Sequence, residues 1–170
     1  MQSYLTPEEY NPYYGTFIDK AEAPNIIDGL QQSKQGFLDF VNTIPDEKLT
    51  YAYAEGKWTI AEVLQHIIDT ERVFAYRALR FARNDKSPLM GFDQDEYVPN
   101  SNANNYTKKE LLDDFKAVRN SSITLFKSFT DDMLIKIGEA SGSPMSVRAS
   151  GYILSGHQRH HVEVIEERYL

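Results

Sequence analysis

Three of the four histidines fall within five residues, at His157, His160 and His161, and the fourth is His66. Residues four apart on a helix share a face, so His157 and His161 are expected on one side of their helix, one turn apart. They continue the series Val147, Leu154, Val164 and Ile165, which places both imidazoles at core-facing positions. A buried polar ring without a partner costs roughly 1–3 kcal/mol. Their nitrogens therefore require a hydroxyl, a backbone group, a trapped water or a cation. His66 borders a second apolar stripe, three residues after Val63 and eight before Phe74. If that edge faces the other pair, three neutral nitrogen donors surround one point and leave a position open for water or substrate. That is the arrangement of catalytic rather than structural metal sites. Imidazole donors suit zinc, nickel, copper and iron(II) alike. The competing reading is a satisfied core pair with His66 at the surface. His160 is rotated off the stripe and is expected to support the others or face solvent. Position 158 is Gln, so the H-E-x-x-H general base is absent and metalloprotease chemistry is disfavoured. No G-x-G-x-x-G, Walker or G-x-S-x-G motif occurs.

The elements that must position these rings read as four helices. The first spans about 24–43, with Ile26, Ile27, Leu30, Phe37, Phe40 and Val41 at helical spacing and Pro45 ending it. The second opens on the capping box Thr59-Ile60-Ala61-Glu62 and runs to about Arg83. Trp58, just before the cap, is expected to staple the helix entry. A second capping box, Thr107-Lys108-Lys109-Glu110, opens the third, whose apolar face runs through Leu111, Phe115, Ile123 and Phe126 to Phe129. The fourth is expected from near Ser143-Pro144-Met145-Ser146 to the C-terminus. Leu49 to Tyr53 reads as a short extended piece, and no other strand pattern appears. The expected fold is an all-α four-helix bundle in a single domain over 1–170. Residues 85–106, with Pro88, Pro99 and an Asn-rich run, form a long crossover between helices two and three. An extended chain covers about 3.3 Å per residue, so that segment can cross the whole bundle and the two helices need not be antiparallel. Residues 1–22 read as an irregular aromatic arm carrying Tyr4, Tyr10, Tyr13, Tyr14 and Phe17, packed in a core groove or against a second copy. Arg72, Arg77, Arg80 and Arg83 read as a salt-bridged helix face beside Asp69 and Glu71, and Asp113 and Asp114 as a solvated one.

Composition narrows the function. The chain has 170 residues, 41% of them hydrophobic, and a net charge of −7. Nucleic-acid and anionic-membrane binding draw on Lys and Arg, so neither partner is expected. There is no cysteine, which removes disulfides, protein thiolates and Cys metal sites. No apolar signal core or membrane-length run is present, and a cytoplasmic location is expected.

Several segments together resemble the DinB-like family of metal-binding four-helix bundles. They are Lys57-Trp58-Thr59-Ile60-Ala61-Glu62-Val63-Leu64-Gln65-His66, then Phe74-Ala75-Tyr76-Arg77, Gly91-Phe92-Asp93-Gln94-Asp95, and Gly156-His157-Gln158-Arg159-His160-His161. Near the start, Glu9-Tyr10-Asn11-Pro12-Tyr13-Tyr14 is similar as well. The resemblance implies a bundle with crossover connections and a divalent metal, nickel or zinc, on His66, His157 and His161. It implies homodimers, and an activity that in some relatives is S-transfer from a low-molecular-weight thiol. The resulting expectation is a metal-dependent enzyme on a small-molecule substrate entering beside the 85–106 segment, either a thiol S-transferase or a metal-water hydrolase. The rival is a non-catalytic metal-binding or sensing bundle. Asp69, one turn after His66, and Asp93 and Asp95 on the crossover are the carboxylates considered as acid or base.

Overall fold

The computed structural model describes residues 5–21 and 23–170; Tyr4 of the aromatic arm lies outside them. Four long helices carry the fold: α2 (Ile26–Thr43), α3 (Ile60–Ala82), α5 (Lys108–Lys127) and α7 (Val147–Arg168). Shorter elements decorate them: α1 (Gly15–Ile18), α4 (Gln94–Tyr97), α6 (Asp131–Leu134) and the strands β1 (Ile137–Ala140) and β2 (Ser143–Ser146). Both expected capping boxes form. The Thr59 and Thr107 hydroxyls accept from the Glu62 and Glu110 N–H groups at 3.2 Å each, and the two Glu side chains accept in return. No helix is long and apolar enough to cross a membrane among the described residues.

α3 packs on α7 and α5, and α2 packs on the same two, so α2 and α3 face each other across the bundle diagonal. One apolar cluster unites Ile26 and Leu30 of α2, Phe74 to Ala82 of α3, Ile123 and Phe126 of α5, and Val147 to Leu154 of α7. The other unites Phe37 and Val41, Ile60 to Ile68, Leu111 to Phe115, and Ile165. The order in which each helix visits the clusters sets its direction. α3 and α5 run one way, α2 and α7 the other.

The parallel α3–α5 pair requires the crossover the sequence suggested. Residues 85–106 leave the end of α3 and return to its beginning, where Asn104 accepts from the Thr59 hydroxyl at 2.7 Å and donates to Glu62 at 3.0 Å. The segment is more ordered than a bare loop. It contains α4 and two single turns, Val98–Asn100 and Ala103–Asn105, with Val98 and Ala103 buried.

Two expectations are corrected. Residues 143–146 do not begin the last helix but form β2, antiparallel to β1. Ser141 (φ 54°) and Gly142 (φ 71°) make the two-residue turn between the strands, and left-handed geometry at both positions matches the twist of a hairpin. The helix starts at Val147, capped by the Ser146 hydroxyl. Residues 49–53 form no strand. The carbonyls of Leu49 and Tyr51 accept instead from the Ala61 and Ile60 N–H groups at 2.8 and 3.2 Å, satisfying donors that the first turn of α3 leaves free.

Between the two apolar clusters lies a buried polar layer. α3 contributes Gln65, His66, Thr70 and Glu71; α5 contributes Arg119 and Ser122; α7 contributes Ser155, His157 and Gln158. At its centre Arg119 grips both Glu71 oxygens, with Nε and Nη2 each at 2.8 Å from one, and its Nη1 donates to the Leu30 carbonyl and the Ser33 hydroxyl of α2. His66 and His157 of this layer also belong to the candidate site.

Candidate metal centre

His66 comes from the second turn of α3, and His157 and His161 from successive turns of α7, the helix packed against it. Nε2 of His157 stands 3.1 Å from Nε2 of His66 and 3.1 Å from Nε2 of His161. Tetrahedral nitrogen ligands about 2.0–2.1 Å from a zinc ion lie roughly 3.3 Å apart, a close match. His66 and His157 are buried and His161 half-buried. An sp² ring nitrogen has one in-plane site, used either as lone pair or as N–H. Nε2 of His157 can therefore satisfy one of its two neighbours and not both. A single cation satisfies all three, so the donor set fits a divalent metal better than it fits itself.

The surroundings keep the rings neutral, which is the ligating form. Burial pulls His66 down to about 4. Burial and the neighbouring rings hold His157 and His161 well below the ordinary histidine range. Thr70 Oγ1 lies 3.5 Å from Nδ1 of His66, the long limit of a hydrogen bond and the side from which a partner turns Nε2 inward. Trp58 packs on His66 with ring centroids 5.0 Å apart, so its position before the cap also closes one side of the cluster. Phe17 meets His157 edge-on at 5.2 Å and His160 at 5.3 Å.

These shifts predict the stability of the metal-free protein against pH. A histidine with its folded pKa below its unfolded value binds its proton more readily once the chain unfolds. Stability is then whole above about pH 6.5 and is lost as pH falls from there toward 4. Urea midpoints measured between pH 7.5 and 4.5 should decline through this window, and His66→Gln should flatten the decline.

Beside the cluster opens a cavity of about 740 Å³. Tyr13, Tyr14 and Phe17 of the arm and Phe74 of α3 form much of its wall, and His157, His160 and His161 line it too. The crossover closes another side with Met90 to Asp95, so the segment expected beside the substrate entrance does border the site. The arm is fitted closely here. A Cβ at Gly156 would stand 1.7 Å from the Phe17 carbonyl oxygen, so only glycine lets the arm lie against α7 next to His157.

Asp93 and Asp95 reach the cavity, and Asp93 also caps α4 by accepting from the Asp95 N–H at 2.9 Å. Asp69 is not brought there. It accepts from Gln65 at 3.0 Å and pairs with Arg72 at 3.1 Å on the flank of α3 that faces α5. His160 stays outside the converging set, its ring 5.1 Å from that of His161. Sequence reasoning missed the arm aromatics as cavity wall, and it placed Arg77 on a charged surface although that residue is 2% exposed. The signal for Arg77 was its spacing. It follows His66 by eleven residues, three helical turns, and so shares its face.

A four-helix bundle with parallel central helices, a crossover between them and three converging histidines defines a metal-site bundle class. The sequence pattern of the DinB superfamily matches residues 30–165, and the chain belongs to that family. It is 28% identical over 131 residues to a protein from Oceanobacillus iheyensis, covering 74% of this chain and 73% of that one. It is 24% identical over 124 residues to one from Geobacillus thermodenitrificans, covering 71% and 68%. Both carry the name "Putative metal-dependent hydrolase". In fold it is similar to YfiT from Bacillus subtilis, with a TM-score of 0.75 at 15% identity over 96% of this chain and 90% of that one. YfiT is titled a probable metal-dependent hydrolase with an unusual four-helix bundle topology.

Proposed function

We propose that the chain is a divalent-metal-dependent hydrolase of a small molecule, with His66, His157 and His161 as the metal ligands. The observation that carries this reading is the set of three mutually facing Nε2 atoms, which two hydrogen bonds cannot satisfy. The names of its relatives and the adjoining cavity support it. A divalent cation there supplies Lewis acidity toward an oxygen or sulfur of the substrate; three imidazoles accommodate nickel or zinc. The chain's own residues do the rest. The arm and the crossover hold the substrate and exclude water, and Asp95 is the residue proposed to take up and return the proton. It lines both the main cavity and a neighbouring pocket of about 280 Å³, and each reaches His160 and His161.

A second reading uses the same site for S-transfer from a low-molecular-weight thiol. Among the described residues no carboxylate joins the three histidines within 4.8 Å. Attack by water needs a base close to the centre, whereas a thiol arrives already acidic enough to ionise. A non-catalytic sensing module has less support, because a purely structural metal site needs no cavity of this size beside it. The homodimer implied by family resemblance belongs to this proposal and is tested by light scattering.

The deciding assay sets zinc- and nickel-loaded protein against small esters and amides, and in parallel against monobromobimane with several cellular thiols. Hydrolysis that disappears on chelation, and falls at least about tenfold in Asp95→Asn at unchanged metal affinity, supports the first reading. Metal-dependent bimane transfer with no hydrolysis supports the second. Neither rate above buffer would sink both.

A further inference from the structure

The bundle buries two arginines, Arg119 and Arg77, at 0% and 2% exposure. They are treated very differently. Arg119 has a carboxylate and two further acceptors, as described above. Arg77 has no carboxylate partner among the described residues. Its Nη2 donates to the Ser141 hydroxyl at 2.9 Å and weakly to the Met90 carbonyl at 3.3 Å, and its Nη1 makes no hydrogen bond within the geometric limits among the described residues. The guanidinium lies over the Phe74 ring at 5.0 Å and near the Phe92 ring at 5.8 Å. Burial pulls its pKa below the usual range, and the Tyr14 hydroxyl opposes that shift. A guanidinium removed from water without a countercharge is a net burden on folding.

The location of this charge gives it a use. Ser141, Met90, Phe74, Phe92 and Tyr14 all line the cavity beside the histidine cluster. Arg77 therefore stands directly behind that cavity's wall, on the same face of α3 as His66 and about 16 Å further along the axis, at 1.5 Å per residue. Among the described residues the cavity lining contains no lysine and no arginine of its own. Asp93 and Asp95 occupy the lining too, so a negative group entering the cavity is turned away from the 93–95 stretch and toward Arg77.

We propose that Arg77 is a specificity residue that binds a carboxylate on the substrate, so that the substrate is an elongated, partly aromatic or apolar acid. Its reacting end lies at the histidine cluster and its anionic end at Nη1 of Arg77. One guanidinium matches one negative charge, whereas phosphate groups generally recruit several cationic donors, and among the described residues the cavity lining supplies no lysine or arginine to join Arg77. Reaching Nη1 requires the Met90–Phe92 strap to shift. Met90 is 89% exposed and is the part of the strap free to turn aside, while Phe92 packs on the core cluster and against Tyr97.

The inference rests on the metal-hydrolase reading for the reacting end, so its test separates the two. Calorimetry compares 4-phenylbutyrate with its neutral amide on wild type and Arg77→Met, each with and without one equivalent of Zn²⁺. Zn²⁺ titration of both proteins is run alongside. The expected result is at least about tenfold preference for the acid in wild type, with or without zinc. Arg77→Met should lose that preference while Zn²⁺ affinity is unchanged. Absence of preference in wild type overturns the inference, even if the variant fails to fold. So does a preference that survives in Arg77→Met, since the acid would then be binding elsewhere, the metal included. Failure of wild type to bind Zn²⁺ removes the metal reading alone, because the zinc-free comparison still reports on Arg77. The thermal midpoint gives an independent readout. A residue kept for recognition leaves Arg77→Met at or above wild-type stability, whereas a purely structural role lowers it.

Discussion

Zn²⁺ or Ni²⁺ added to metal-free protein should raise its thermal midpoint by about 8–16 °C. A ligand at a thousand times its dissociation constant, binding only the folded state, stabilises by about 4.1 kcal/mol. In a chain of this length each kcal/mol moves the midpoint by roughly 2–4 °C. The shift should be large because the cluster is already assembled by helix packing. His66 is presented by α3 and the other two rings by α7, so little conformational entropy remains to be lost on binding. His157→Ala should abolish the shift, because His157 is the ring whose Nε2 lies 3.1 Å from both of the others. His160→Ala should retain it, since that ring lies outside the converging set. Differential scanning calorimetry with and without metal on the three proteins checks this. An equal midpoint with and without metal in wild type would mean that the three nitrogens share no cation.

The contrast between His157 and His160 shows what a sequence can reveal and what it cannot. The i, i+4 relation of His157 and His161 is local, and so are the two capping boxes that start α3 and α5. Local rules read them correctly. The convergence of His66 on that pair is a property of packing between helices 91 residues apart in sequence. Periodicity placed His66 only at the edge of a stripe; resemblance to a family gave it a partner. Asp69 illustrates the same limit from the other side. One turn after His66 looks near in sequence, yet that edge of α3 turns toward α5, where Gln65 and Arg72 occupy it.

The missed hairpin has a different cause. Its strands are four residues each, too short for alternation to register, and Ser141-Gly142 is an unremarkable pair until its backbone is seen in the left-handed region. The hairpin matters to the site because it supplies the Ser141 hydroxyl and, through Leu89, anchors the start of the crossover. Leu89 donates to the Glu139 carbonyl and accepts from the Ser141 N–H, both at 2.9 Å. Arg77 was misread as surface because a run of arginines beside acidic residues usually is surface. Arg72 and Arg80 do pair outside with Asp69 and Asp85. Arg77 differs from them in lying three residues after Phe74 and four before Phe81, within the apolar stripe of α3.

Glu71→Ala should be among the most damaging substitutions in the bundle, destabilising it by about 3–5 kcal/mol. In this chain that lowers the thermal midpoint by roughly 6–20 °C. Glu71 and Arg119 have side-chain exposures of 2% and 0%, so the charge left behind on Arg119 has no water to turn to. Its remaining acceptors, the Leu30 carbonyl and the Ser33 hydroxyl, engage only Nη1. The loss should therefore come mainly from the stranded guanidinium rather than from the vanished attraction. That distinction is measurable. Replacing both partners with apolar residues of similar volume, Glu71→Leu with Arg119→Met, should recover most of the loss, since a well-packed apolar pair is often as stable as a buried ion pair. Chemical denaturation of the two single variants and the double variant forms the required cycle. If the double variant is as unstable as Glu71→Ala, the pair contributes more than the removal of two charges explains, and the polar layer is needed to hold α2, α3 and α5 in register. Recovery would instead show that Glu71 serves mainly to compensate the Arg119 charge within the fold rather than to add net attraction.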